Sequence, residues 1–293
     1  MSLLKRVLEK GEFAVTAEMA PPKGTDLSHI LECARAIKGR VHGVNVTDFQ
    51  SAVLRATSLV TCKLLKDEGL EPIIQMTGRD RNRIATQGEI LAADILGIEN
   101  MLALTGDHTV VGDHPHAKPV FDLDSVGILQ AATTLMSGKD MSGNELQGTP
   151  NLFLGACVTP RFDPLEAQIL KMEKKIKAGA IFFQTQAVFD LDTMREFKEK
   201  TKHLNAKVLA GIIPLKSAGM AKFMNNNVPG IYVPDELIER MKNTDKDQRV
   251  QEGIRIAGEY IKQLREENLC DGVHIMAIGA EENVPAILDA AGL

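Results

Sequence analysis

The chain contains no tryptophan and only two tyrosines. Stacking on a flat ligand must therefore come from phenylalanine, aliphatic side chains or backbone. Cysteine is scarce too: four stand at 33, 62, 157 and 270. No two make a CxxC pair and none sits in a metal-like sequence cluster. That pattern argues for reduced cytoplasmic thiols, and against a disulfide framework or a cysteine zinc site. No apolar run approaches the ~18–20 residues that span a bilayer, so no membrane association is expected. The N-terminal MSLLKRVLEKGEF carries two charges inside its only apolar stretch and does not read as a signal peptide. As a helix over about residues 1–11 it would cap a barrel floor. Positive charge is in deficit: 34 Lys plus Arg against 39 Asp plus Glu give −5 and a pI near 5.9. The broad positive field of nucleic-acid binding is missing. No Ser/Gly tract, Pro-rich run or like-charge block marks a linker, so a single domain is expected over residues 1–293.

What is present is an alternation of β-prone runs with amphipathic segments. The runs are FAVTAEM (13–19), VHGVNVT (41–47), EPIIQMT (71–77), MLALTG (101–106), NLFLGACV (151–158), AIFFQTQ (180–186), KVLAGIIP (207–214) and GVHIMAIG (272–279). Most are nearly continuously apolar, as strands buried on both faces of a helix-covered parallel sheet are. Helical patterns lie between them at 27–39, 52–69, 83–97 and 164–179, and a charge-striped one at 248–268 reads as a solvated outer helix. Asp26, Asp163 and Asp190 stand at N-cap positions, and Gly39, Gly69, Gly97 and Gly179 at helix ends. The first four strand starts are spaced by roughly 28 residues, with larger gaps of about 50 before the fifth and about 65 before the eighth. Eight such units predict a closed (β/α)8 TIM barrel; an open doubly wound sheet is the alternative.

In a barrel, chemistry collects at the carboxyl ends of strands. The polar residues there are Glu18, Thr47 with Asp48, Gln75 with Thr77, Thr105 with Asp107, Thr159, and Gln184 with Gln186. There is no GxGxxG after a strand and no GxxxxGK[ST], so a Rossmann or P-loop nucleotide site is disfavoured. Glu18 precedes Pro21 and Pro22, which stop the strand sharply. A carboxylate desolvated at an apolar barrel mouth is suited to donate a proton near neutrality; its structural alternative is an ion pair with Lys or Arg. Asp107 follows Gly106 and could face a ligand or merely cap a turn. Gln186 could read a heterocycle edge or pack on backbone. The segment 106–116 holds His108, Asp113, His114 and His116, without helical ligand spacing. A solvated active-site loop is the plainer reading, and no metal is expected.

Taken together, EMAPPKG, LALTGD, FDLD, KKIKAGA and TQAVFD resemble the methylenetetrahydrofolate reductase family from about residue 12 to the C-terminus. The resemblance implies a barrel that holds a flavin, FAD or FMN, and reduces 5,10-methylenetetrahydrofolate to 5-methyltetrahydrofolate. It implies Glu18 as general acid, Asp107 as a carboxylate contacting flavin and folate, and Gln186 as an amide contacting folate or nicotinamide. Lys175 corresponds to a lysine on the flavin phosphate. Thr47, Gly106 and the backbone at Phe121 and Asp122 correspond to flavin-lining positions. The sequence departs from the family at Gln75, Thr105 and Val158, where His, Arg and Tyr are common, and at Ala280, near the place of an Arg. On the substrate side Met220 takes the place of a Gln, and Phe223 lies one residue from an aromatic position. The electrons would come from NADH, NADPH or a partner subunit, and an oligomer is expected. The alternatives are a folate-binding barrel subunit dependent on a partner for electrons, and a pterin methyltransferase module without redox chemistry.

Overall fold

The computed structural model describes residues 1–293. Each apolar run becomes a strand: β1 Ala14–Met19, β2 Gly43–Val46, β3 Pro72–Thr77, β4 Asn100–Leu104, β5 Phe153–Val158, β6 Phe182–Ala187, β7 Lys207–Ile212 and β8 Gly272–Ile275. All neighbours pair in parallel, and β8 pairs back onto β1, closing an eight-stranded barrel in sequence order. Outward residues such as Val15, Ala17 and Met19 join one large core beneath the surrounding helices. Inward residues form layers. The lowest contains Ala14, Ile73, Leu102, Phe153, Phe182 and Leu209. Helix α1 (Leu3–Glu9) seals this end with Leu4, Val7 and Leu8, as the N-terminal pattern predicts. Its first turn is fixed by Ser2, whose Oγ accepts from Lys5 N at 3.1 Å. Gly155 is required in this layer, because a Cβ there would stand 2.2 Å from the Phe182 ring.

The helices are α2 Ser28–Ile37, α3 Ser58–Asp67, α4 Arg83–Ile95, α5 Ser125–Met136, α6 Leu165–Lys177, α7 Leu191–Thr201, α8 Ala218–Asn227, α9 Asp235–Lys242, α10 Arg249–Glu266 and α11 Val284–Ala291. The long gaps hold α5 with its rim loop before β5, and α8, α9 and α10 before β8. The four glycines at helix ends all have positive φ, from +75° to +110°. Asp190 caps α7, accepting from Thr193 N at 2.8 Å. Three local expectations fail. The helix expected from residue 52 starts only at Ser58, because Phe49, Ser51 and Ala52 have left-handed φ values of 46–56°. Those residues cross the barrel mouth, where Arg55 Nη1 donates to Pro21 O and Ala56 N to Pro22 O. Asp163 does not cap α6, since Pro164 occupies the N-cap position. Asp26 lies one residue before the α2 cap and accepts from Ser28 N at 2.9 Å. On α10 the charge stripe is solvated apart from Glu252, which is buried between Arg240 and Arg255. No helix is long and apolar enough to cross a membrane.

Candidate active site

Strand alternation places Thr16 and Glu18 of β1 on the inner face, with Asn45 of β2, Gln75 and Thr77 of β3, Gln184 and Gln186 of β6 and His274 of β8. Above the apolar floor these residues line or underlie a cavity of about 370 Å³ at the carboxyl end of the barrel. Glu18, Asp107 and Gln186 all line it. Leu102, Leu104, Val158 and Met276 give it apolar wall.

Glu18 is held by neutral donors. Gln50 Nε2 donates to its Oε1 at 3.2 Å and Gln75 Nε2 to its Oε2 at 3.1 Å. No lysine or arginine pairs with it, so the ion-paired structural alternative is overturned. Its nearest titratable neighbour is His274, with Nε2 3.7 Å from Glu18 Oε2. Beneath them lies a buried polar chain. His274 Nδ1 is 2.9 Å from Thr16 Oγ1, Gln184 Nε2 donates to Thr16 Oγ1 at 3.3 Å, and Gln184 and Asn45 exchange amide hydrogen bonds at 2.7 and 2.9 Å. Such a satisfied network fixes its members rigidly. Sequence reading overlooked Thr16, Asn45 and His274. Thr16 and Asn45 each carry a signal, standing two positions before a polar residue at a strand end, Glu18 and Thr47; His274 carries none, with Gly272 and Met276 at that spacing.

Arg79, just past β3, was also missed, and it is buried in the cavity wall. It donates from Nε and Nη2 to Asp80, from Nη1 to Asp107 O at 3.2 Å, and from Nη2 to Phe49 O at 3.1 Å. One guanidinium thus ties together two rim loops. Asp48 turns inward to structure: Arg81 Nη1 and Nη2 donate to it at 2.6 and 3.1 Å, and Thr77 N at 2.8 Å.

Several positions suggested by resemblance lie elsewhere. Of the cofactor positions that the resemblance suggests, Thr47, Gln75, Thr105, Gly106, Asp107, Phe121, Asp122 and Lys175, only Gln75, Gly106 and Asp107 line the cavity. Thr47 is buried, with no partner for its Oγ1. Thr105 accepts from Ser125 N at 3.2 Å at the start of α5. Phe121 sits beside His108, ring centroids 6.2 Å apart. Asp122 binds Arg83, which holds its carboxyl down at about 2. Lys175 donates to Cys157 O at 2.7 Å, and burial lowers its pKa. Met220 packs against a satellite core, and Phe223 is 60% exposed on α8. None of these seven reaches the cavity.

The histidine-rich rim segment holds no metal-ligand cluster. Asp113 instead accepts from Lys23 Nζ at 2.6 Å and Leu54 N at 3.0 Å, joining three rim loops. The cysteines differ from expectation in one respect: Cys33 lies beside His29 and Glu282 in space.

A methylenetetrahydrofolate reductase family model matches residues 3–292. The chain is 24% identical over 295 residues to the 5,10-methylenetetrahydrofolate reductase of Salmonella typhimurium, covering 97% of this chain and 92% of that one. It is 22% identical over 245 residues to the probable methylenetetrahydrofolate reductase (NADPH) of Caenorhabditis elegans, covering 81% of this chain but 35% of the longer protein. An uncharacterised Clostridium thermocellum protein that binds two copies of 5-methyl-5,6,7,8-tetrahydrofolic acid has the same fold, with TM-score 0.64 at 18% identity over 99% of this chain and 98% of that one. A match that runs from the capping helix to the last helix leaves no part of the barrel outside it: the chain belongs to the methylenetetrahydrofolate reductase family.

Proposed function

We propose that this chain reduces 5,10-methylenetetrahydrofolate to 5-methyltetrahydrofolate, with Glu18 as the proton donor. The observation that carries the reading is the Glu18 carboxyl at the floor of the cavity, free of any cationic side chain and facing the same space as Asp107 and Gln186. The folate bound by the Clostridium thermocellum protein and the names of the relatives support the same substrate class.

The cavity's donor set fits a flat heterocycle with apolar faces and polar edges. Gln75, Gly106 and Asp107 would hold the ring of a flavin. The lysine expected on its phosphate tail is not free here: Lys175 is committed to Cys157 O. When bound, the flavin would supply the electrons as hydride to the one-carbon unit. The protein's own task is then proton and charge management. Protonation of the substrate N10 by Glu18 breaks the N10–CH2 bond of its five-membered ring and leaves a cationic iminium at N5. The Asp107 side chain at the rim favours that cation electrostatically. Gln186 orients the pterin edge through its amide. The Thr16–His274 pair stands behind Glu18 to return the proton.

The test is the absorption spectrum of the purified chain followed by anaerobic titration. A bound flavin bleached by NADH or NADPH and recoloured by methylenetetrahydrofolate is the expected result. Bleaching by dithionite alone points to a partner protein as electron source. Glu18→Gln should keep flavin reduction and slow folate turnover by about 10²–10⁴-fold. Undiminished turnover in that variant removes Glu18 from the role.

A further inference from the structure

Cys33 takes no part in the cavity. It is buried on α2, with Sγ 3.7 Å from Nε2 of His29, one helical turn earlier. Spacing of i, i+4 puts two ligands on one helix face. From the far end of the chain, the turn Glu281–Asn283 before α11 brings Glu282 to the same point. His29, Cys33 and Glu282 each offer a ligand atom, all within 4.8 Å of one another, and no other such trio exists in the molecule. Glu281 lies beside the trio: its Oε2 is 4.0 Å from His29 Nε2, and its Oε1 accepts from Gly279 N at 3.0 Å.

The spacing matches a tetrahedral ion. With Zn–S of ~2.3 Å and Zn–N of ~2.0 Å, sulfur and nitrogen ligands sit about 3.5 Å apart. The observed sulfur–nitrogen distance is 3.7 Å. We infer that His29, Cys33 and Glu282 bind a divalent cation of the zinc class. One thiolate and one imidazole select a borderline-soft ion over magnesium or calcium, which take oxygen ligands. Metal binding removes the thiol proton to solvent and replaces it with the ion at the sulfur.

Three protein ligands leave the fourth tetrahedral position to a solvent molecule. The ion would join the helix after β1 to the turn after β8, across the seam where the barrel closes. Glu18 and His274 project from those two strands. The inference does not depend on the folate reading, and its test does not use activity.

Chelator-treated, reduced protein is titrated with Zn2+ by calorimetry and with Co2+ by absorption. Expected are one ion per chain, proton release on binding, a sulfur-to-cobalt charge-transfer band and a higher thermal midpoint with Zn2+. His29 has an exposed side chain, so His29→Gln should fold normally. It should weaken binding by more than the roughly 10–100-fold that loss of an outer partner costs. Cys33→Ser should abolish the band; if that variant does not fold, His29→Gln and Glu282→Gln decide. Absence of stoichiometric binding overturns the inference, and so does binding that His29→Gln leaves unchanged.

Discussion

His274 bridges Thr16 and Glu18: its Nδ1 lies 2.9 Å from the threonine hydroxyl and its Nε2 3.7 Å from the carboxylate. Thr16 Oγ1 has two acceptors within reach, Val273 O at 3.3 Å and His274 Nδ1. When it donates to the ring, Nε2 carries a proton toward Glu18. When it donates to Val273 O, Nδ1 carries the proton and Nε2 can accept one. A hydroxyl rotation coupled to the ring tautomer thus switches Nε2, the nitrogen facing the carboxyl, between donor and acceptor. On the proposed reading, His274→Gln should slow the folate half-reaction by up to about a hundredfold, at the low end of direct acid catalysis, because Glu18 itself remains. Reduction of the flavin should be unchanged. Single-turnover kinetics of the two half-reactions check this; equal slowing of both would mean that the cavity has collapsed.

The barrel was legible because each strand is buried on both sides, which writes a continuous apolar run into the sequence. The site was legible where inward polar residues recur at every second position, as Glu18, Gln75 and Gln186 do. Alternation alone would also have exposed Thr16 and Asn45, but not His274, which stands between Gly272 and Met276 on its face. What the sequence does not carry is long-range partnering. Arg83 captures Asp122 and the Cys157 carbonyl captures Lys175, and no local motif announces either contact. The mistaken helix start at residue 52 has a related cause. Apolar residues at a rim loop imitate a helix face when their left-handed neighbours carry ordinary side chains rather than glycine.

Gly155→Ala should destabilise the barrel floor. The added methyl would meet the Phe182 ring, which is itself stacked on Phe153 at 5.0 Å between centroids. Overpacking of this kind costs about 1–3 kcal/mol. Urea unfolding reads it directly, and Phe182→Leu in the same chain should recover part of the loss. Strict additivity of the two changes would show that the clash is relieved elsewhere.

Burial pushes the thiol of Cys270 up to about 11 from an ordinary 9.0. The folded state therefore keeps a proton that the unfolded chain releases between those values. Its contribution to stability is fully present below pH 9 and falls as pH rises toward 11, by about 1.4 kcal/mol per pH unit within that window. Cys270→Ala should show a shallower loss of stability across the same range. Urea midpoints measured from pH 8 upward in both proteins make the comparison, and parallel curves would rule out this thiol as a source of alkaline instability.

Arg79 holds the mouth open in a defined shape rather than donating charge to it. Its guanidinium reaches Asp80, the Asp107 carbonyl and the Phe49 carbonyl at once, a task that needs a planar fork. Lysine keeps the charge but can serve fewer of these acceptors, and not in one plane. Arg79→Lys should leave the fold intact, because the ion pair with Asp80 can persist. The loops carrying Asp107 and Gln50 should then wander. Each charge-assisted bond lost is worth about 1.5–3 kcal/mol, so substrate affinity should fall by at least about tenfold. If Arg79 acts only by positioning, the change appears in KM while kcat moves little, and Arg79→Met is worse in the same direction. A fall in kcat with KM unchanged would instead make the guanidinium a direct participant at the transition state.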